Sequence, residues 1–209
     1  MKRVTMMIAF VFALAANTAF AHVGLVYEMQ GSMSITRGDD TIRAYVGMHL
    51  EKGDTLKTTK TSRLIVQMHD GAMLTIAPAS EISVAEFTAH TKEAPGNTVL
   101  ETAKGFFRYV SGRTKRSVSF KTPVGAIGIR GTDVFWEVKG DGVTVVGLVQ
   151  CCVDVTSKGG TVALETPNTF SKITSADEAP TAPEPCNPEW LQKVKAALGA
   201  NDAFFKAIK

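Results

Sequence analysis

The stretch SRLIVQMHDGAMLTIA, residues 62–77, decides the fold class. Leu64, Val66 and Met68 fall on one side of an alternating run, and Arg63, Gln67 and His69 on the other. A period of two is that of a half-buried β-strand, so the first set is expected to face the core. Asp70-Gly71 follows, a pair that supplies the positive φ of a tight reversal. A second β-rich run, MLTIA, then begins.

The same grammar extends in both directions. VGLVYEM, SMSITR, EISVAEF, TVLETA, FFRYV, SVSFKT, DVFWEV, GVTVVGLVQCCVDV and TVALE are rich in β-branched and aromatic residues. Turn signals separate them at Arg37-Gly38-Asp39-Asp40, Lys52-Gly53-Asp54, Ala94-Pro95-Gly96-Asn97, Gly140-Asp141-Gly142 and Lys158-Gly159-Gly160. The expected fold is all-β, a sandwich, barrel or solenoid-like stack of short strands. Residues 174–189 read as a Pro/Ala-rich linker. Residues 190–209 read as a short amphipathic helical tail, with Trp190, Leu191, Val194, Ala197 and Leu198 on one stripe and Gly199 as its stop. Docking of that stripe on its own domain is the default expectation.

The chain opens MKRVTMMIAFVFALAANTAFA. Lys2 and Arg3, an apolar run from Met6 to Ala16, and Ala19-Phe20-Ala21 have the layout of a secretory signal peptide cleaved after Ala21. The expected product is residues 22–209, a domain over 22–173 plus its tail, in the periplasm. Without Lys2 and Arg3 it has 21 basic residues against 20 acidic ones. That balance argues against a nucleic-acid binder, which concentrates positive charge.

Of three cysteines, Cys151 and Cys152 are neighbours in a strand-like run and should point to opposite faces. Cys186 lies in the tail, APTAPEPCNP. An exported chain permits disulfides, and Cys186 is expected to pair with one of the two, Cys152 being favoured. Such a bridge stabilises by about 3–4 kcal/mol in the chain-entropy model. Three free thiols are the alternative.

A series of segments resembles the FecR domain family. It runs from VGLVYEMQGSMSI (23–35) through GMHLEKGDTLKTTKTSRLIVQMHDGAMLTIAPASEI (47–82), GFFRYVSG (105–112) and TPVGAIGIRGTDVFWEV (122–138) to VVGLVQCCVDV (145–155). The positions carrying the resemblance are Gly53, Asp54, Ser62, Arg63, Leu64, Asp70, Gly71, Thr122, Pro123, Arg130, Gly131 and Thr132. The best-known members are transmembrane regulators of iron-uptake signalling, whose periplasmic domain receives a signal from an outer-membrane transporter. Here a cleavable leader stands where those have an anti-sigma segment and a span. The resemblance therefore implies the periplasmic interaction module alone, a twisted, solenoid-like all-β packing that works with an envelope protein partner.

Arg130 is expected to be a buried strut, with Asp133 or Asp54 as its acceptor and Gly131 as a bulge; a recognition contact is the competing role. Arg108, Arg113, Lys115 and Arg116 form a candidate basic patch. Phe106, Phe107 and Tyr109 are candidates for an aromatic binding face, with core packing as the ordinary reading. His22, at the expected mature N-terminus, has an amine and a ring that can chelate copper if a second histidine joins it. The histidines at 22, 49, 69 and 90 show no ligand spacing, so no metal or other cofactor is expected. Gly-x-Ser-x-Gly and His-Glu-x-x-His do not occur. The expected role is non-enzymatic protein–protein interaction in envelope signalling or assembly. Glycan or peptidoglycan binding, or adhesion, is the alternative.

Overall fold

The computed structural model describes residues 22–90, 96–112 and 117–199. The expected leader (1–21), the end of the expected tail (200–209), and Arg113, Lys115 and Arg116 of the basic loop lie outside the described residues.

Two facing sheets share one strand. With strands numbered along the chain, the first sheet runs β4 (His49–Leu50), β1 (Gly24–Gln30), β6 (Arg63–Met68), β7 (Met73–Ile76), the second part of β9 (Asn97–Val110), β12 (Asp133–Val138), β13 (Thr144–Gln150), β16 (Thr169–Ile173) and β17 (Glu184–Pro185). The second runs β3 (Asp40–Arg43), β2 (Met33–Arg37), β5 (Thr55–Thr58), β8 (Glu81–Thr88), the first part of β9, β10 (Ser117–Thr122), β11 (Gly125–Ile129), β14 (Val153–Ser157) and β15 (Gly160–Leu164). The chain zigzags, laying hairpins alternately in one sheet and the other. Every pairing named is antiparallel except β9 with β10, which is parallel.

TVLETA and FFRYV are thus one strand, not two. Lys104 still pairs in the second sheet, opposite Glu81, while Gly105 pairs in the first, opposite Val138. Gly105 makes the corner at φ +111°, and a Cβ there would collide with Ser80. The Ser80 hydroxyl instead accepts from the Phe106 N–H at 3.2 Å. A glycine is required where the turn and the close approach coincide.

The core lies between the sheets. Leu64, Val66 and Met68 are buried in it. The Phe120 ring from the second sheet lies 4.3 Å from that of Trp136 and 5.3 Å from that of Tyr109, both in the first. Phe107 stacks on Trp136 at 5.3 Å. Phe107 and Tyr109 are therefore core, and Phe106 packs on the opposite face.

That opposite face carries helix α1 (Pro188–Leu198). Asn187 caps its start by accepting from the Glu189 N–H at 2.7 Å, and Pro188 follows in the first turn, where a missing N–H costs nothing. Val194 and Leu198 are buried beside Phe135, and Trp190 stacks on Phe135 at 5.0 Å. The Arg63 guanidinium donates to the Leu198 carbonyl, one of the orphan acceptors of the helix end. The preceding segment is laid along β16 rather than left as a free linker. Thr181 N–H donates to Lys172 O at 2.9 Å, and Lys172 N–H donates to the Thr181 hydroxyl at 3.0 Å.

The expected disulfide is absent. Cys151, Cys152 and Cys186 are all free. Cys151 has φ +62° and turns the chain from β13 into β14, so it and Cys152 do not alternate across a strand. Their sulfurs lie side by side, 2.7 Å apart. Cys186 packs instead against the helix cluster. Burial there pushes its thiol pKa up to about 11.

Candidate functional site

The segment 122–138 is not one strand with an arginine in its middle. β11 ends at Ile129 in the second sheet and β12 starts at Asp133 in the first. Arg130, Gly131 and Thr132 make the crossing. Gly131, at φ +85°, turns the chain; it is no bulge within a ladder. Thr132 is buried and anchors the corner, its hydroxyl donating to Gln150 O at 2.6 Å and its N–H to the Ser111 hydroxyl at 2.8 Å.

Arg130 itself is not a buried strut. Its side chain is 44% exposed, and one guanidinium nitrogen lies 3.2 Å from both Asp154 Oδ1 and Glu165 Oε1. Asp133 and Asp54 are engaged elsewhere. Arg108 lies against Asp133, and Arg37 against Asp54. Arg108 is itself buried, at 8% exposure, so it does not belong to an exposed basic patch.

Nothing local in the sequence marks Arg37. Its Nε and Nη2 donate to the two oxygens of fully buried Asp54 at 2.7 Å, its Nη1 reaches Glu51, and Nη2 also donates to the His49 carbonyl at 2.9 Å. The carboxylate of Asp54 is the first cause holding the Arg37 pKa above its ordinary value, with burial opposing it. Asp54 also accepts from the Glu51 N–H at 2.9 Å, and Gly53 takes φ +93°. One arginine thus organises the turn before β5.

The remaining motif positions build turns and hairpins. Buried Ser62 accepts from the Thr59 N–H at 2.6 Å. Asp70 accepts from the Ala72 N–H at 3.0 Å, with Gly71 at φ +81°. Leu64 is core. The Thr122 hydroxyl donates to Gly125 O at 3.3 Å across the turn that Pro123 opens.

Exposed apolar side chains lie elsewhere. Tyr27 is 53% exposed, Tyr45 59% and Val46 58%. Tyr27 falls in a bulge of β1, where the register with β6 shifts between Val26 and Glu28. The loop carrying Tyr45 and Val46 is fastened alongside, since Gly47 N–H donates to Val26 O at 2.8 Å and Val26 N–H to Met48 O at 2.9 Å. A bulge that turns an aromatic out of a sheet margin re-aims it toward solvent. Among the described residues, no three His, Cys, Asp or Glu side chains are grouped to enclose a metal ion.

Residues 54–154 match the family model described as FecR protein. The chain carries a FecR domain. The matched span runs from the Arg37-bound Asp54 to Asp154, the partner of Arg130. Two crystal structures from Parabacteroides distasonis ATCC 8503, each described as of a candidate anti-sigma factor, share the fold at TM-scores of 0.54 and 0.53. They are 13% and 14% identical, and the match covers 66% of this chain and 62% and 64% of theirs. This FecR-domain chain thus spans under two thirds of the length of those proteins. No curated protein matches it. Among the described residues, no helix is long and apolar enough to cross a membrane.

Proposed function

We propose that the FecR domain of this chain is a non-enzymatic periplasmic binding module, exported by a leader cleaved after Ala21, that docks a protein partner in envelope signalling or assembly. The observation that carries the reading is the outward pair Tyr27 and Tyr45 with Val46. Most large apolar side chains of the domain are buried, whereas these three are more than half exposed, Tyr27 in the β1 bulge and Tyr45 and Val46 in the loop whose end is hydrogen-bonded to Val26. Grouped exposed aromatics on a monomeric domain mark contact surfaces, and tyrosines supply contact area at low entropic cost. The solved relatives described as candidate anti-sigma factors agree with a regulatory, protein-binding role.

A photo-crosslinking residue placed at position 45 of the exported chain tests this. A discrete crosslinked envelope protein is expected, competed away by unlabelled wild type and not by a folded Tyr27→Ala, Val46→Ala variant. Retention on purified sacculi, lost with the same substitutions, would replace the protein partner by a glycan.

A further inference from the structure

Three of the chain's four histidines meet at one end of the first sheet. His22, His49 and His69 line a single pocket of about 460 Å³, together with Met68. The His22 and His49 rings are stacked, with centroids 4.2 Å apart and planes inclined by 26°.

The backbone fixes this meeting. Val23 is fully buried. Its N–H donates to Leu50 O and its carbonyl accepts from the His69 N–H, both at 2.9 Å. Gly24 lies opposite both Leu50 and Met68, so close that a Cβ would strike the Gln67 backbone. Residue 22 is therefore held in the fork between the chain at 49–50 and the chain at 69. His49 is held from behind, since Arg37, locked on Asp54, also binds its carbonyl.

One atom in the pocket has an unmet need. Nδ1 of His22 is buried and has no hydrogen-bond partner. A buried polar atom left unpaired is costly, and an unfilled ligand bond is one explanation for it. Nδ1 is also the ring nitrogen that reaches back to its own α-nitrogen, so an ion bound to both closes a six-membered chelate. In the precursor that α-nitrogen is an amide and a poor ligand. Cleavage after Ala21 converts it to an amine, with an ordinary pKa of about 8, whose lone pair is available near neutral pH.

We propose that this cleavage completes a copper site, in which the α-amine and Nδ1 of His22 and a ring nitrogen of His49 bind Cu²⁺, with His69 at the rim. The proposal rests on the export reading but not on the protein-docking one. A ring nitrogen binds a metal in the plane of its ring, so the His49 ring turns out of its stack on His22 to bring a nitrogen within the span of about 4 Å that two metal–nitrogen bonds of about 2.0 Å allow. Side chains alone do not suffice, in keeping with the absence of a three-residue metal cluster among the described residues. The third donor comes from the main chain and exists only after processing. Copper is favoured because it heads the divalent affinity series at nitrogen sites.

The test uses the chain purified from the envelope, its first residue established by mass spectrometry, stripped of metal and titrated with Cu²⁺. A free peptide of residues 22–27 supplies the reference chelate. One ion per chain is expected, bound at least roughly tenfold tighter than by the peptide, because the fold presents His49 at high effective concentration. Paramagnetic resonance should show nitrogen hyperfine splitting. His49→Ala, or His49→Gln if alanine unfolds the chain, should fall to the peptide's affinity, while His90→Ala should bind like wild type. Binding no tighter than the peptide, an undiminished folded His49 variant, or a first residue other than His22 would each overturn the proposal.

Discussion

The Arg108 guanidinium lays two hydrogen bonds on the Asp133 carboxylate, Nε to Oδ1 at 2.9 Å and Nη2 to Oδ2 at 2.8 Å, across neighbouring strands β9 and β12. The side chains are only 10% and 14% exposed. Removing Asp133 takes the bidentate carboxylate from a guanidinium in a poorly hydrated place, whereas replacing both sides with apolar groups removes the need for it. Asp133→Ala is expected to cost about 3 kcal/mol, read from the denaturant midpoint. The double variant Arg108→Met, Asp133→Leu should recover most of that. A single-variant loss under about 1 kcal/mol would show that water screens the pair.

Gly105 combines a positive φ with a blocked Cβ position. Its φ of +111° is already strained for other residues, and Ser80 occupies the space of a Cβ. Gly105→Ala is expected to lose about 3–5 kcal/mol, since strain and overpacking add. Gly131→Ala makes the control. Its φ is +85° but nothing lies within 4 Å of its Cβ, so only the conformational cost of about 1–2 kcal/mol remains. Equal losses at the two positions would mean that the β9 corner yields to a methyl group.

The same two glycines show how far the sequence is legible. Local signals are read correctly where one strand and its turn decide them. Leu64, Val66 and Met68 face the core as their alternation requires, Asp70-Gly71 reverses the chain, and the Trp190–Leu198 stripe docks on a sheet. What fails is anything set by the meeting of distant segments. Gly105 reads as a break between strands because its role, bending one strand between two sheets, depends on Ser80. Arg130 lost its expected acceptors because Arg37 and Arg108, 17 and 25 residues from those aspartates, had taken them. The Cys152–Cys186 pairing failed because a positive φ at Cys151 holds Cys152 beside its neighbour. Histidines at 22 and 49 have no local pattern at all, yet stack in space.

Arg130 sits at the rim of two carboxylates rather than inside the fold, which separates stability from recognition. Exposed ion pairs contribute about 0–1 kcal/mol. Arg130→Ala should therefore melt within a few degrees of wild type and keep its circular dichroism. If the corner also touches the partner, the folded variant will dissociate faster from the non-covalent complex with that partner. A loss of several kcal/mol would restore the strut.

The thiols give a pH-dependent signature. Burial raises the Cys186 pKa to about 11, and Cys152 is also raised, first by its contact with Cys151. The thiolate is the species that alkylates. At pH 8 the native chain should label first at exposed Cys151. Cys186 should be the slowest, its rate rising about tenfold per pH unit until near its pKa. The linkage has a definite sign. A cysteine ionises near 8.5 when unfolded, so the protonated Cys186 of the fold costs nothing below that pH, and stability declines between about pH 8.5 and 11. Removing the thiol with Cys186→Ala should flatten that decline. Mass spectrometry of alkylated native chain checks the order, and a single reactive Cys151 with Cys152 and Cys186 locked together would establish the disulfide this structure lacks.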